Sequence, residues 1–444
     1  MKKKRLSFVC ILLCMSLLIM PIPASATNQT TAVDEIAAKS MAQAPALEAF
    51  NKIYDLVIFD TAETPEYHDY YGGCYINDDN ILVICVKNGG TELINTLNAV
   101  LGDEYDVEYD FCDWSKGEVL SFAESEINTF SAKSTVTVNS GYYSAQDNAY
   151  ILEVTNTSEE PILPASAKRT GNIPVIIREV DMEQAVDASP SIQDAVQTSL
   201  PERSNIPIYG GMGMHQKATY GNLVEEIQNG ATLALCGYFN GIPCILTAAH
   251  CCLDTEDLMG NSKIKKLYLD SNFTVELEET SLQVHGVGDY AALKIPSGYI
   301  PTNSIKATSS GSTRTITSYL TLNEIPQGTI IYKYGISTSY TESQVFGNNA
   351  TTGDGSQVSG LILSIPVGAV EGDSDNEFND ESIVDEGDSG GPVWTLNANG
   401  GIVLVGLVQA MGNPAYFATS RMYITPICYP ISSGFIPYGM LPVF

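Results

Sequence analysis

Positive charge is scarce in this chain. Lys and Arg number 22 among 444 residues, against 52 Asp and Glu, for a formal net charge of -30. A nucleic-acid binder needs a basic stripe to neutralise phosphates, so that class is excluded, and docking on anionic lipid with it. Charged residues of both signs make up 17%, below the ~25% of an average globular chain. There are four histidines, so the setting of each carries information. No long apolar run occurs after the amino terminus. Ten cysteines are too few to build a scaffold of this length from disulfides, so hydrophobic cores must hold it. Apolar residues reach 44%, enough to exclude a wholly disordered chain. A single core stops growing near ~250–300 residues, so two or three domains are expected.

The chain opens MKKKRLSFVCILLCMSLLIMPIPASAT. Lys2, Lys3, Lys4 and Arg5 form a basic segment, an apolar run covers 6–20, and Ala24-Ser25-Ala26 supplies small residues for a peptidase. The run is short of the ~20 residues of a spanning helix, and Pro21 and Pro23 follow it. Residues 1–26 therefore read as a signal peptide cut after Ala26. The protein is expected to be secreted, extracellular and free of membrane once cut. Cys74, Cys85, Cys112, Cys236, Cys244, Cys251, Cys252 and Cys428 remain.

Residues 27–203 read as an α+β domain. In 91–102, Leu93, Ile94, Leu97, Val100 and Leu101 share a helical face and Gly102 is placed to end it. A second helix is expected over 115–128. GCYINDDNILVICV (73–86) echoes GYYSAQDNAYILEV (141–154), with Asp79-Asn80 and Asp147-Asn148 in hairpin turns, which suggests a duplicated unit. The Pro-, Ser- and Thr-rich stretch from about 155 to 207 reads as a linker. From 204 to 444 short strands alternate with Gly, Asn and Ser turns, including a hairpin around Asn240-Gly241, as in an all-β barrel or sandwich.

Three strings carry chemistry. In EGDSGGPVW (386–394), glycines around Ser389 allow a tight loop whose N–H groups converge beside the hydroxyl. A serine hydroxyl is a weak nucleophile until a base takes its proton and donors hold the oxyanion. LTAAHC (246–251) ends an apolar strand with His250, and Cys251 is expected to pair with Cys236 across the hairpin and fix that loop. GDYAALKI (288–295) starts a strand with Asp289, placed to set the imidazole tautomer. His68, His215 and His285 have no comparable setting.

Together these strings resemble the chymotrypsin-like serine proteases, in the order His250, Asp289, Ser389. The resemblance covers about 208–430. IYKYGISTSYTESQV (331–345) and YFATSRMYITPI (416–427) are similar to the bacterial branch that includes the streptogrisins and α-lytic protease. It implies a catalytic domain of two six-stranded antiparallel β-barrels with the triad between them. It also implies oxyanion donors at the Gly387 and Ser389 amides, and a prodomain over 27–203 that acts as intramolecular chaperone and inhibitor. It places substrate-binding positions on Gln409 and Met411 of the pocket wall and on Ile383, where trypsin-type enzymes hold an Asp, so a trypsin-like pocket floor is not expected. Arg314 or Arg421 is expected to pair with Asp388.

The run EGDSDNEFNDESIVDEGD (371–388) is wholly acidic. It reads as a solvated loop, with two sharper alternatives: a subsite for basic substrates, or calcium held through Asp373, Asp375 and Glu377. No other metal and no cofactor is expected. The function implied is an exported serine endopeptidase acting on peptide or protein substrates and made as a preproprotein. The alternative is a catalytically silent protease-fold binding protein.

Overall fold

The amino-terminal region repeats one local plan: a hairpin whose turn carries an Asn at positive φ, then a strand returning parallel to it. In the computed structural model, helix α1 (Ala44–Val57) precedes hairpin β1 (Tyr71–Ile76) and β2 (Leu82–Lys87), with Asn80 at φ 63° in the turn. Helix α2 (Thr91–Leu101) buries Leu93, Leu97 and Leu101 along one stripe and ends at Gly102, φ 62°. It leads to β3 (Val107–Cys112), parallel to β2. Helix α3 (Lys116–Ser131) introduces the second hairpin, β4 (Val136–Ser144) and β5 (Ala149–Asn156), with Asn148 at φ 47°. Strand β6 (Val175–Glu179) lies parallel to β5. Both helices read from the sequence form within a few residues of their expected ends.

The described residues are 35–60, 65–131, 136–156, 174–179, 205–220, 223–252, 255–256, 262–352, 358–369, 382–411 and 420–442. The expected signal peptide, most of the linker and the bulk of the acidic run, including Asp373, Asp375 and Glu377, lie outside them. The linker reading needs correction where it can be tested. Val175–Glu179 is a strand and Ile206–Gly210 is another, because β5 offers the first an open edge and Tyr299–Lys306 pairs with the second. Among the described residues no helix is long and apolar enough to cross a membrane.

The rest of the chain is almost entirely β. Strands β7 (Gly213–Tyr220) and β8 (Leu223–Thr232) run into hairpin β9 (Leu235–Phe239) and β10 (Ile242–Thr247). Asn240 and Gly241, at φ 51° and 75°, make the expected turn. Next come β11 (Ser262–Tyr268), β12 (Glu278–Gly286) and β13 (Gly288–Lys294). With Thr255–Glu256 and Phe435–Pro437, these strands form a four-stranded and a five-stranded sheet rather than one continuous ladder. The two are laced where Leu277 N–H bonds the Leu267 carbonyl, and where β8 passes directly into β9. The expected second barrel closes fully. Strands β14 (Ile330–Gly335), β15 (Ser339–Thr352), β16 (Leu361–Pro366), β17 (Pro392–Leu396), β18 (Ile402–Met411) and β19 (Met422–Pro426) pair antiparallel in the cycle β14-β15-β16-β19-β18-β17-β14. Alternation sorts their faces: Met422 and Ile424 enter the main core, while Tyr423 turns outward to Tyr142 and Leu361.

Residues Ser40–Phe444 form one compact unit. Within it, β4 adds to the barrel beside β15, with Tyr143 opposite Asn348, Gly141 opposite Thr351 and Ser140 opposite Thr352. One apolar cluster runs from Phe50 and Ile53 of α1 to Ile331 and Val393 of the barrel. Two ion pairs are shut inside the same contact, Lys116 with Glu324 at 2.5 Å and Arg421 with Glu153 at 2.6 Å.

Candidate active site

His250 and Asp289 come from neighbouring elements of the first barrel half. Leu246 and Thr247 at the end of β10 pair with Ala292 and Ala291 of β13, so the turn that follows β10 hangs over the start of β13. That turn, Ala249–Cys251, carries His250, and Asp289 is the second residue of β13. The imidazole Nδ1 stands 2.5 Å from Asp289 Oδ2, and the His250 main-chain N–H donates to Oδ1 at 3.1 Å. Asp289 is fully buried while the His250 side chain keeps 35% exposure. The Asp289 N–H donates to the Thr425 hydroxyl at 3.1 Å, which ties this corner to β19 of the closed barrel.

A second imidazole, absent from the sequence reading, meets the same carboxylate. His285 at the end of β12 is the cross-strand partner of Asp289, and its Nδ1 lies 3.0 Å from Oδ1. Burial alone would push the Asp289 carboxyl up; hydrogen bonds and charge from His250 and His285 outweigh it and hold the group at about 2. Burial works against charge on His250, but the Cys251 sulfur and the Asp289 carboxylate reverse that and raise it well above the ordinary histidine value.

Ser389 lies on the loop before β17. Gly387 and Gly390 take φ of 92° and 86°, and a side chain at Gly390 would strike Thr247 Oγ1 and the Thr232 carbonyl. The loop is thus pressed against the strand end that leads to His250. Thr232 N–H donates to the Ser389 carbonyl at 2.9 Å, and its hydroxyl donates to the Gly387 carbonyl at 2.7 Å. Among the described residues the Gly387 and Ser389 amides donate to no protein acceptor, which leaves two N–H groups for an oxyanion.

The loop is fixed from beneath by Asp388. Its carboxylate accepts from Lys333 Nζ at 2.5 Å, the Thr338 hydroxyl, and the main-chain N–H groups of Ser337, Thr338 and Asp385. Neither arginine expected as its partner serves. Arg314 Nη2 donates to the Gly400 carbonyl, and Arg421 pairs with Glu153. Lys333 wins because β14 points it inward directly under the loop.

Ser389 Oγ donates to the Gln409 carbonyl at 3.3 Å, and no hydrogen bond joins it to His250 among the described residues. His250 Nε2 instead faces Cys251 Sγ at 3.6 Å. The expected Cys236–Cys251 disulfide is absent, both residues being free thiols. Register explains it: Cys236 sits opposite Ile245, well below the turn, and its Sγ is aimed at the Ile208 carbonyl. Gln409 is buried at a register shift in β18, with its Oε1 lacking a hydrogen-bond partner. Ile383 packs into the core beside Val384 and Met422, its N–H held by the Ser420 hydroxyl. Met411 ends β18, and its side chain lies outside the described residues. Among those residues no group of three His, Cys, Asp or Glu is disposed to hold a metal.

Two family models match parts of the chain. The family described as "Trypsin" matches residues 226–427, and "Pro-like N-terminal domain" matches 34–106. No curated protein matches the chain. Among solved structures, the chain is similar to a glutamic acid specific serine protease described as using a novel histidine triad in substrate binding. Identity is 20% and TM-score 0.36, over 52% of this chain and 100% of the other. It is also similar to Thermobifida fusca Protease A, at 17% and 0.35 over 52% and 99%. For the Nocardiopsis protease the values are 17% and 0.33 over 51% and 96%. Residues 226–427 thus carry the match to the trypsin family model, and residues 34–106 the match to the Pro-like N-terminal domain.

Proposed function

We propose that this chain is an exported serine endopeptidase made as a preproprotein. The observation that carries the reading is the His250–Asp289 pair, 2.5 Å apart, beside a Ser389 loop pressed onto Thr232 and Thr247. In the reaction, Ser389 Oγ swings from the Gln409 carbonyl to the substrate carbonyl carbon. His250 Nε2 releases the Cys251 thiol and takes the serine proton as the C–O bond forms. Asp289 stabilises the imidazolium, and the Gly387 and Ser389 amides receive the oxyanion. Collapse breaks the C–N bond, with the His250 proton passing to the leaving amine. Water then repeats the cycle on the acyl-enzyme. The Asp388–Lys333 pair holds the loop without help from a newly cut amino terminus, in keeping with the bacterial branch.

Residues 27–203 act as chaperone and inhibitor in this reading. Support comes from β4 on the barrel edge and the buried Lys116–Glu324 and Arg421–Glu153 pairs. Non-local strand pairing makes barrels slow to fold, and a bound template lowers that cost. A fluorophosphonate probe tests the reading: labelling of Ser389 in wild type, lost in Ser389→Ala, is expected after the prodomain is removed. The second reading, a silent binding protein, draws on the Ser389–Gln409 contact. It stands if the probe labels nothing.

A further inference from the structure

Asp289 is gripped from two sides, and only one grip belongs to the proposed triad. His250 takes Oδ2 through Nδ1 and Oδ1 through its main-chain N–H; His285 takes Oδ1 through Nδ1 at 3.0 Å. With the carboxylate as acceptor, His285 Nδ1 is the donor, and the side chain is 27% exposed.

The local chain is shaped for this contact. Gly286 and Gly288, at φ 152° and 75°, fold β12 back onto β13 with Val287 alone at the tip. The tip is anchored: Gly288 N–H donates to the Ser359 carbonyl, and Ser359 N–H donates to the Gly286 carbonyl. His285 and Asp289 therefore face each other across a hairpin that cannot slide. Gln409 of β18 makes no hydrogen bond to Asp289 among the described residues, and its buried Oε1 has no hydrogen-bond partner there. Donation to the free side of Oδ1 falls to His285.

We infer that His285 is a positioning residue. Resting on the endopeptidase reading, it fixes the rotation of the Asp289 carboxylate so that Oδ2 stays aligned with His250. The titratable or charged groups facing this cluster are His250, Cys251 and Cys252 of the turn, Asp289 itself, Glu279 of β12, and Lys265 of β11, whose ammonium reaches the His250 carbonyl at 2.8 Å. From β19 the Thr425 hydroxyl faces it.

The test uses the full chain, allowed to mature, as wild type, His285→Asn and His285→Phe. Asn keeps a neutral donor near the Nδ1 position; Phe removes it. His285→Phe should lower kcat about tenfold or more with little change in KM. It should also move the acidic limb of kcat/KM to higher pH, because Asp289 then serves His250 alone. His285→Asn should recover most of kcat. An unchanged limb and kcat in His285→Phe would overturn the inference. Proton NMR of the low-field His250 Nδ1–H resonance separates the two readings. If Ser389 takes no probe but this resonance shifts in His285→Phe and returns in His285→Asn, the endopeptidase reading falls and the positioning role stands. If Ser389 is labelled and the resonance does not move, the reverse holds.

Discussion

Lys333 Nζ lies 2.5 Å from Asp388 Oδ2, with neither side chain reaching solvent. Removing one partner of such a pair leaves a buried charge uncompensated, at a cost of about 3–5 kcal/mol. Lys333→Met should therefore lower unfolding stability by that amount in urea titration and slow the enzyme about 100-fold or more, because the Gly387 and Ser389 amides lose their fixed position. Adding Asp388→Asn should return much of the stability but not the rate. Equal stability of Lys333→Met and wild type would contradict the packing described here.

Protonation should separate the conditions for stability from those for activity. Asp289 is depressed to about 2, so its contribution is present above its unfolded value of ~3.9 and lost as pH falls through its folded value. His250 is raised, so its contribution is complete below ~6.5 and lost as pH rises through its folded value. Catalysis needs His250 neutral. The kcat/KM profile should rise above pH ~6.5 while the melting temperature is highest on the acid side of that limb. An activity midpoint at or below ~6.5 would speak against the raised imidazole.

Free thiols make a chemical prediction. Peptide mapping without reductant should give no Cys236–Cys251 cross-link, and reductant should leave activity unchanged. Cys251→Ala should fold and stay active, since its sulfur only borrows His250 Nε2 at rest. A recovered cross-linked peptide would require the turn after β10 to sit differently.

The buried Arg421–Glu153 pair predicts how tightly the leading domain is held. Glu153→Gln leaves a guanidinium inside the contact and should loosen it by about 3–5 kcal/mol. Earlier onset of activity and faster proteolysis of residues 40–156 should follow. Glu153→Met with Arg421→Met should restore most of the latency, because apolar replacement of both partners costs little.

Local chemistry was legible in the sequence, and non-local burial was not. Asn240-Gly241 announces its hairpin, Gly102 its helix end, and the glycines around Ser389 their loop, because each acts through its own φ. His285 escaped notice although a signal was present: Gly286-Val287-Gly288 folds the chain so that residues four apart become cross-strand partners. Lys333 stands in the stretch IYKYGISTSYTESQV without a role read for it; only the closed barrel shows that it faces inward under Asp388. The thiol pairing went wrong because a hairpin places cysteines by register, and Cys251 lies beyond the last paired residue.

The shared ladder between β4 and β15 bears on timing. A nick anywhere in residues 180–204 breaks the polymer yet severs none of the cross-strand bonds at Ser140, Gly141 and Tyr143. If residues 27–203 act as the proposed inhibitor, backbone scission and release are separate events, and activity in a population should climb with a lag and then accelerate as the first freed molecules digest the detached piece from the others.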